Sequence, residues 1–515
     1  MPERLDFRQP HRLFDTAATR RIEQAAASHL PPHALMQRAG LALARLALAL
    51  APHARRMWIA CGPGNNGGDG LEAASHLWRW GVPLTVTWLG AANQAPADAR
   101  VALARASAAG VQLVHEPPAD LGPQDLCIDA LLGIGAARPP AGRMADWLRL
   151  MRTGAAPLLA VDLPSGLNAD TGVLSGDDAL HSIAFAPCHT LTLLTLKPGL
   201  FTSGGRDACG TLWFDDLGVT SDETPTAILS GAPSAAMRPH ASHKGSFGDV
   251  AVIGGLSDRA RGIAMTGAAL LAASAALHGG AGRVYVAPLS GAGDPGSAPM
   301  FDPSQPELMF RRWDALALQT LTVVCGCGGG ELSAPAVTRP GGDLGAALPE
   351  VLRRAPRLVL DADALNAIAA DAALAGLLAE RAGREQVTVL TPHPLEAARL
   401  LATDARAVQA DRLAAARALA ARWRAIVVLK GSGTLIAAPN EVPRLNPTGN
   451  ARLATPGTGD VLAGLIGAYL AAGQNAFATP LDAVCAAIYR HGQIADEWRG
   501  PGTLTAGALA RQVVF

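Results

Sequence analysis

From Met57 onward the chain alternates short apolar runs with longer stretches in which Ala, Leu and Arg recur at helical spacing. "MWIAC" (57–61) leads into a glycine-rich loop, after which a helix is expected over Gly70–Trp80. "PLTVTWLG" (83–90) reads as the next strand, followed by a helix through Ala99–Ala109. "LCIDALLG" (126–133) and "PLLAVDLPSG" (157–166) are two further apolar runs, each reaching an aspartate and then a loop. Such alternation predicts a parallel sheet covered by helices on both faces. Ligands of such sheets sit beyond the carboxyl ends of the strands. Asp69, Asp129 and Asp162 all fall at that edge.

The pattern lapses over Val219–Pro239, where turn formers and prolines dominate, and this stretch is the expected domain seam. A second alternation follows in "GDVAVIGG", "GRVYVAPL", "LTVVCGCGGG", "RLVLDADALN", "VTVLTPHPLE" and "AIVVLKGSGTLIA". Helical patterns at Asp460–Ala471 and Asp482–Trp498 close the chain. The expectation is therefore α/β, with two domains over residues 1–222 and 223–515.

Composition narrows the partners. A chain of 515 residues exceeds one ordinary core, and 49% hydrophobic with 17% charged residues fits compact domains. Its 43 basic residues balance 43 acidic ones, so nucleic acid and anionic membrane are not expected as partners. The N-terminus has no apolar signal core, and the uncharged stretch Gly262–Gly282 reads as a buried helix rather than a membrane span. Seven cysteines without a C-x-x-C pair point to a reducing cytoplasm. Lysine occurs only at Lys197, Lys244 and Lys430, so each is a candidate for a role that needs a compact ammonium. Lys197, before a turn, is expected to be solvated.

"ACGPGNNGGDG" (60–70) satisfies G-x-G-x-x-G through Gly62, Gly64 and Gly67. A hydride-transfer site also needs an acidic residue about 20 positions further on to hold the ribose. The chain offers Ala91-Ala92-Asn93-Gln94 after its second strand, which argues against a dehydrogenase. Near the other end, "TPGTGD" (455–460) precedes an apolar helix, and "KGSGT" (430–434) ends an apolar strand. Backbone N–H groups in such loops hold phosphate. With Asp460 as a proton acceptor, the pair suits phosphoryl transfer, although Asp460 would also serve as a simple helix cap. No Walker-type phosphate loop is present.

Six ordered motifs now carry a resemblance: "HKGSFGDVAVIGG", "MTGAALLAASAALHGGAG", "LDADALN", "TPHPLEAARLL", "VVLKGSGTLIA" and "TPGTGD". Across 241–515 the chain resembles the ribokinase-like ADP-dependent NAD(P)H-hydrate dehydratases. That resemblance implies a ribokinase-like αβα domain and ADP as co-substrate, with Mg2+ implied by the phosphoryl transfer. Lys430, Gly431, Ser432, Gly433, Thr434 and Gly459 would contact the nucleotide. Ala268, Gly328, His393 and Asp460 would contact the hydrated dinucleotide, Asp460 being the catalytic base. Met265 departs from the family's usual tyrosine, and "GCGGG" from its usual "GPGLG".

Likewise "LMQRAG", "NNGGDG", "DALLGIG", "VDLPSGLNADTG" and "LKPGL" resemble the NAD(P)H-hydrate epimerases over 13–219. The implied fold is a three-layer αβα Rossmann-like domain. A potassium ion would be held by Asn66, Asp129 and Ser165, hard oxygen ligands of the kind an alkali cation accepts. The hydrated dinucleotide would lie along Asn65, Asn66, Gly67, Gly68 and Asp69, along Gly133, Ile134, Gly135, Ala136, Ala137, Arg138 and Pro139, and at Asp162. Asp162 would do the acid/base work. Asp129 and Asp162 as mere helix caps is the plainer alternative. Gln37 and Ile134 stand where the family has glutamate and threonine. The combined expectation is a cytoplasmic, homo-oligomeric repair enzyme, with small molecules as its only ligands. The competing reading is a ribokinase-like kinase of a vitamin precursor, carrying a non-catalytic nucleotide-binding module in front.

Overall fold

The structure is a computed structural model that describes every residue except 136–137, 176–185, 235–239, 260, 292–300, 331–342, 385, 474–475 and 514–515. It divides into two compact units, the first comprising residues 1–6 and 11–228, the second residues 7–10 and 229–515. The stretch 219–239 holds the short strand Ala227–Leu229.

In the first unit the sheet runs in the order Glu3–Arg4, Thr211–Asp215, Cys188–Leu193, Leu158–Val161, Asp125–Ala130, Arg56–Cys61, Leu84–Trp88, Leu113–Val114. All neighbours are parallel except the first pair. Successive side chains of a strand point to opposite faces. Met57, Ile59 and Cys61 accordingly pack with Leu43 and Leu71 of the helices Ala34–Leu50 and Asn65–Arg79. Trp58 and Ala60 face the other way, against Trp147, Leu148 and Met151 of the helix Arg143–Thr153. The result is three layers with the sheet in the middle.

The second unit repeats this logic on the strand order Met309–Phe310, Arg283–Ser290, Asp249–Asp258, Thr322–Cys325, Arg357–Leu360, Val387–Leu390, Ile426–Leu429, Leu435–Ala437, Arg444–Leu445. Val250, Val252, Val324, Val359, Val389 and Val428 line one face and bury the helices Thr266–His278, Thr458–Ala472 and Pro480–Glu497. Thr266–His278 falls inside the uncharged stretch read as a buried helix. Among the described residues no helix is long and apolar enough to cross a membrane.

One boundary differs from the sequence reading. The helix after the first glycine loop starts at Asn65, not at Gly70. Glycine's low helix propensity argues for the later start, but close packing overrides it. A Cβ at Gly67 would stand 2.0 Å from the Gly62 oxygen, and one at Gly62 would stand 1.8 Å from the Leu131 oxygen. The glycines let the helix end sink against the strand ends, which carries Asn66 and Asp69 into the interior. Gly67→Ala should therefore cost about 1–3 kcal/mol through overpacking. Urea unfolding of the first unit measures this, and an unchanged midpoint would mean that the loop has slack.

Candidate active sites

The first unit encloses a cavity of about 690 Å³ at the carboxyl edge of its sheet, within the roughly 300–1,000 Å³ range of small-molecule sites. Its wall includes Asn65, Asn66, Asp69, Gly133, Ile134, Gly135 and Asp162, together with Glu23 and Lys197. Of the other predicted contacts, Gly67 and Gly68 are buried packing residues, and Arg138 and Pro139 are exposed and do not line the cavity. Ala136 and Ala137 lie outside the described residues.

Asp162 follows the strand Leu158–Val161 in the left-handed conformation, with φ 67°. A non-glycine residue held there marks a constrained site. It caps no helix. Its Oδ1 accepts from the Lys197 ammonium and from the Leu193 N–H at 3.3 Å. Lys197 is not solvated as expected: it is 1% exposed and also donates to Thr192 Oγ1 at 3.2 Å and the Leu193 oxygen at 2.8 Å. A charge so buried must be paired, and the turn after it, Pro198–Phe201, is itself buried. Burial, then the charge of Asp162, pushes the Asp69 carboxyl well above its usual range. Burial and Asp162 push Glu23 up as well. Glu23 was not picked out by sequence, because a glutamate on an amphipathic helix reads as surface.

Asp129 caps no helix either. It is buried, and accepts from Ser165 Oγ at 2.6 Å, Ser165 N–H at 2.9 Å and Leu131 N–H at 3.2 Å. Its pKa is raised by burial. The Asn66 side chain lies against Gly133, and its buried Nδ2 has no hydrogen-bond partner. The Asp129 carboxylate and the Ser165 hydroxyl are hard oxygen donors of the kind an alkali cation accepts, whereas the orphaned Asn66 Nδ2 is a hydrogen-bond donor and offers such an ion no ligand.

In the second unit four strand ends converge. The strands Thr322–Cys325, Arg357–Leu360, Val387–Leu390 and Ile426–Leu429 deliver Cys327, Asp361, Thr391 and Lys430 respectively. Asp361 is buried, and its Oδ1 accepts from Lys430 Nζ at 2.6 Å and Thr391 Oγ1 at 2.7 Å. Burial works against the Lys430 charge, yet Asp361 and Glu396 outweigh it and raise its pKa. The Lys430 ammonium stands 3.5 Å from where a Cβ on Gly459 would lie, so two predicted nucleotide contacts are adjacent. Asp460 sits in the first turn of Thr458–Ala472. Burial, then nearby Asp361, raises its pKa to about 7. A carboxylate oxygen from each of Asp361 and Asp460 and the Cys327 sulfur lie within 4.8 Å of one another.

Ala268 and Met265 border Gly328: a Cβ there would stand 2.9 and 3.0 Å from theirs. Gly328 (φ 57°) thus lets this turn pack closely against Ala268 and Met265. His393 caps the helix Pro394–Leu401, its Nδ1 accepting from Leu395 N–H at 3.1 Å and Glu396 N–H at 3.4 Å. Burial, then Lys430, lowers its pKa, so the ring is neutral near pH 7. Asp361 and Thr391 went unassigned by sequence, although each directly follows an apolar strand. Magnesium fits this cluster in part. Asp361 and Asp460 offer oxygen, the Cys327 sulfur is too soft, and such an ion is held largely by nucleotide phosphates and water.

Two α/β units, each with its own acidic site at the strand ends, define a bifunctional enzyme. A family model described as NAD(P)H-hydrate dehydratase matches residues 250–512, and one described as YjeF-related protein N-terminus matches residues 32–199. The bifunctional NAD(P)H-hydrate repair enzyme of Escherichia coli is 36% identical over 504 residues, covering 95% of this chain and 90% of its own. That of Coxiella burnetii is 33% identical, covering 89% and 90%. A solved ADP/ATP-dependent NAD(P)H-hydrate dehydratase from Bacillus subtilis is 29% identical, with a TM-score of 0.42, covering 54% of this chain and 91% of that one. The chain belongs to the family of bifunctional NAD(P)H-hydrate repair enzymes.

The Lys197 pair gives a stability test. Lys197→Met strands the Asp162 charge and should destabilise the first unit by about 3–5 kcal/mol. Adding Asp162→Asn to the same chain should recover most of that loss. Urea unfolding followed by the emission of the core residues Trp58 and Trp147 reads both, and a double variant no better than the single one would contradict the pairing.

Proposed function

We propose that the first unit interconverts the R and S epimers of hydrated NADH and NADPH, and that the second dehydrates the S epimer with ADP converted to AMP and phosphate. The observation that carries the second assignment is Asp460, a carboxyl raised to about 7 beside the Lys430–Asp361 pair. A base works best with a pKa near the operating pH. Asp460 takes the proton of the hydrate's C6 hydroxyl, whose oxygen then attacks the terminal phosphorus of ADP. The P–O bond to AMP breaks, and the phosphate ester formed at C6 is a far better leaving group than hydroxide. Departure of phosphate with loss of a ring proton restores the dihydropyridine. Lys430 through Thr434 and Gly459 hold the nucleotide, and Ala268, Gly328 and His393 hold the dinucleotide. Magnesium, when bound with the nucleotide, supplies positive charge to the transferring phosphoryl group.

In the first unit Asp162, anchored by Lys197, acts as the base, and Asp69, whose proton is retained by burial, acts as the acid. Asp69 gives its proton to the C6 hydroxyl, which leaves as water as the ring-nitrogen lone pair closes onto C6. Water then adds to the opposite face of that iminium, its proton passing to Asp162. Asn65, Asp69 and Gly133 to Gly135 border the ligand, with Asn66, Asp129 and Ser165 holding potassium. That ion, when present, supplies positive charge beside the dinucleotide. We further expect a homo-oligomer in the cytoplasm, in keeping with seven free cysteines.

Feeding both epimers with ADP and following each separately tests the division of labour. Asp460→Asn should abolish ADP-dependent NAD(P)H recovery while epimer exchange persists, and loss of both activities would sink the two-site reading. A stable phosphorylated product would instead identify a kinase.

The pH response has a definite sign. Asp460 accepts a proton only when ionised, so dehydration should rise with pH and level off above about 7. Folding raises this pKa from 3.8, so ionising Asp460 costs native stability as pH climbs towards 7. Asp460→Asn should therefore be at least as stable as the parent at pH 8, measured by thermal unfolding. Replacing potassium with a bulky organic cation should slow epimerisation alone, and an unchanged rate would count against the Asn66/Asp129/Ser165 site.

A further inference from the structure

Behind the loop Lys430–Thr434 lies an arginine that phosphate chemistry alone does not call for. Arg412 opens the helix Arg412–Trp423 and is 1% exposed. Its guanidinium donates to the carbonyl oxygens of Leu429 and Lys430, each at 3.3 Å, and to Gln409 Oε1 at 2.8 Å. Gly431, at φ 136°, rests directly on it: a Cβ there would stand 2.7 Å from Nη1.

A trans peptide points its C=O and its N–H in opposite directions. Capture of the Lys430 carbonyl therefore turns the Gly431 N–H away from the guanidinium. Gly431 and Ser432 are exposed, whereas the guanidinium is buried, so a ligand reaches the loop from the side away from Arg412. The Lys430 N–H meanwhile donates to the Pro392 oxygen at 2.9 Å, which fixes the preceding peptide plane as well. Burial lowers the Arg412 pKa to about 10, which leaves it charged at neutral pH.

We propose that Arg412 is a positioning residue for nucleoside-diphosphate binding: it sets the peptide planes at Leu429–Gly431 so that the loop presents an N–H and the Lys430 ammonium to the phosphates, and it adds a fixed positive charge behind them. A residue that merely filled the core would be replaceable by an apolar side chain of similar length. This inference rests on the reading of Lys430–Thr434 as the nucleotide loop.

The test titrates ADP by calorimetry into the full-length protein and its Arg412→Met and Arg412→Lys variants, and measures the KM for ADP against kcat. Loss of the charged hydrogen bonds should weaken ADP binding ~10-fold or more in Arg412→Met, as a rise in KM larger than the fall in kcat. Arg412→Lys should recover part of the affinity, and epimer exchange in the other unit should be unchanged. ADP affinity within about twofold of the parent in a folded Arg412→Met protein would overturn the inference. If that variant does not fold, Arg412→Lys decides, and parental affinity there overturns it equally. Failure of the parent itself to bind ADP would overturn the nucleotide reading as well, which separates the two failures.

Discussion

A carboxylate at the carboxyl end of a buried parallel strand has to be compensated, and both units are organised around that requirement. Isolation of such a charge in the interior costs several kcal/mol. Asp162 is held by Lys197, and Asp361 by Lys430, each through a contact that pins one carboxylate oxygen. The pinned oxygen sets the rest. In the first unit it orients Asp162 at the cavity wall, and burial, then the Asp162 charge, raises the pKa of Asp69. In the second, Asp361 is the second cause, after burial, of the raised pKa of Asp460. Two carboxylates in different surroundings, one pinned by an ammonium and one raised by burial, are how a fold sets their proton affinities apart.

Much of this was legible in the sequence because the relevant signals are local. Apolar runs ended by aspartate, and glycine loops opening helices, marked the strand ends where the sites lie. Asp162, Asp129 and Asp460 were found that way. The less legible part concerns polar burial. Lys197 before Pro198-Gly199 reads as a solvated turn residue, and only the packing of that turn encloses it. Arg412 opens an Arg- and Ala-rich helix in which every arginine looks alike by pattern, yet it is fully buried while Arg417 and Arg422 are exposed. A period of 3.6 residues tells which positions share a face, not how far the face is covered. The early start of the helix at Asn65 was hidden for a related reason, since propensity scales have no term for a helix end packed against a strand end.

Cys327 shows how a departure from the family pattern is absorbed. A thiol stands where the family usually has proline, in contact with Asp361 at 4.0 Å and close to Asp460. Burial, then the charges of Asp361 and Asp460, pushes its pKa well above the usual thiol value. It is therefore a neutral, weak donor at physiological pH. Its single S–H can serve one carboxylate at a time and adds no charge beside Asp361 and Asp460.

The scarcity of lysine can now be read physically. Lys244 is exposed, and its backbone oxygen lies 1.6 Å from where a Cβ on Gly282 would fall. The other two lysines are the partners of Asp162 and Asp361. Arginine has displaced lysine almost everywhere else in the chain, including the fully buried Arg381 and Arg412, so burial alone does not select lysine. What distinguishes Lys197 and Lys430 is the partner, a strand-end aspartate. An ammonium is a point charge that fits among closely spaced acceptors, whereas a planar guanidinium needs a broad, flat set of them. Arg381 and Arg412 each meet three such acceptors, backbone and side-chain oxygens together. In this chain the buried compact cations are thus the ones that hold a strand-end aspartate.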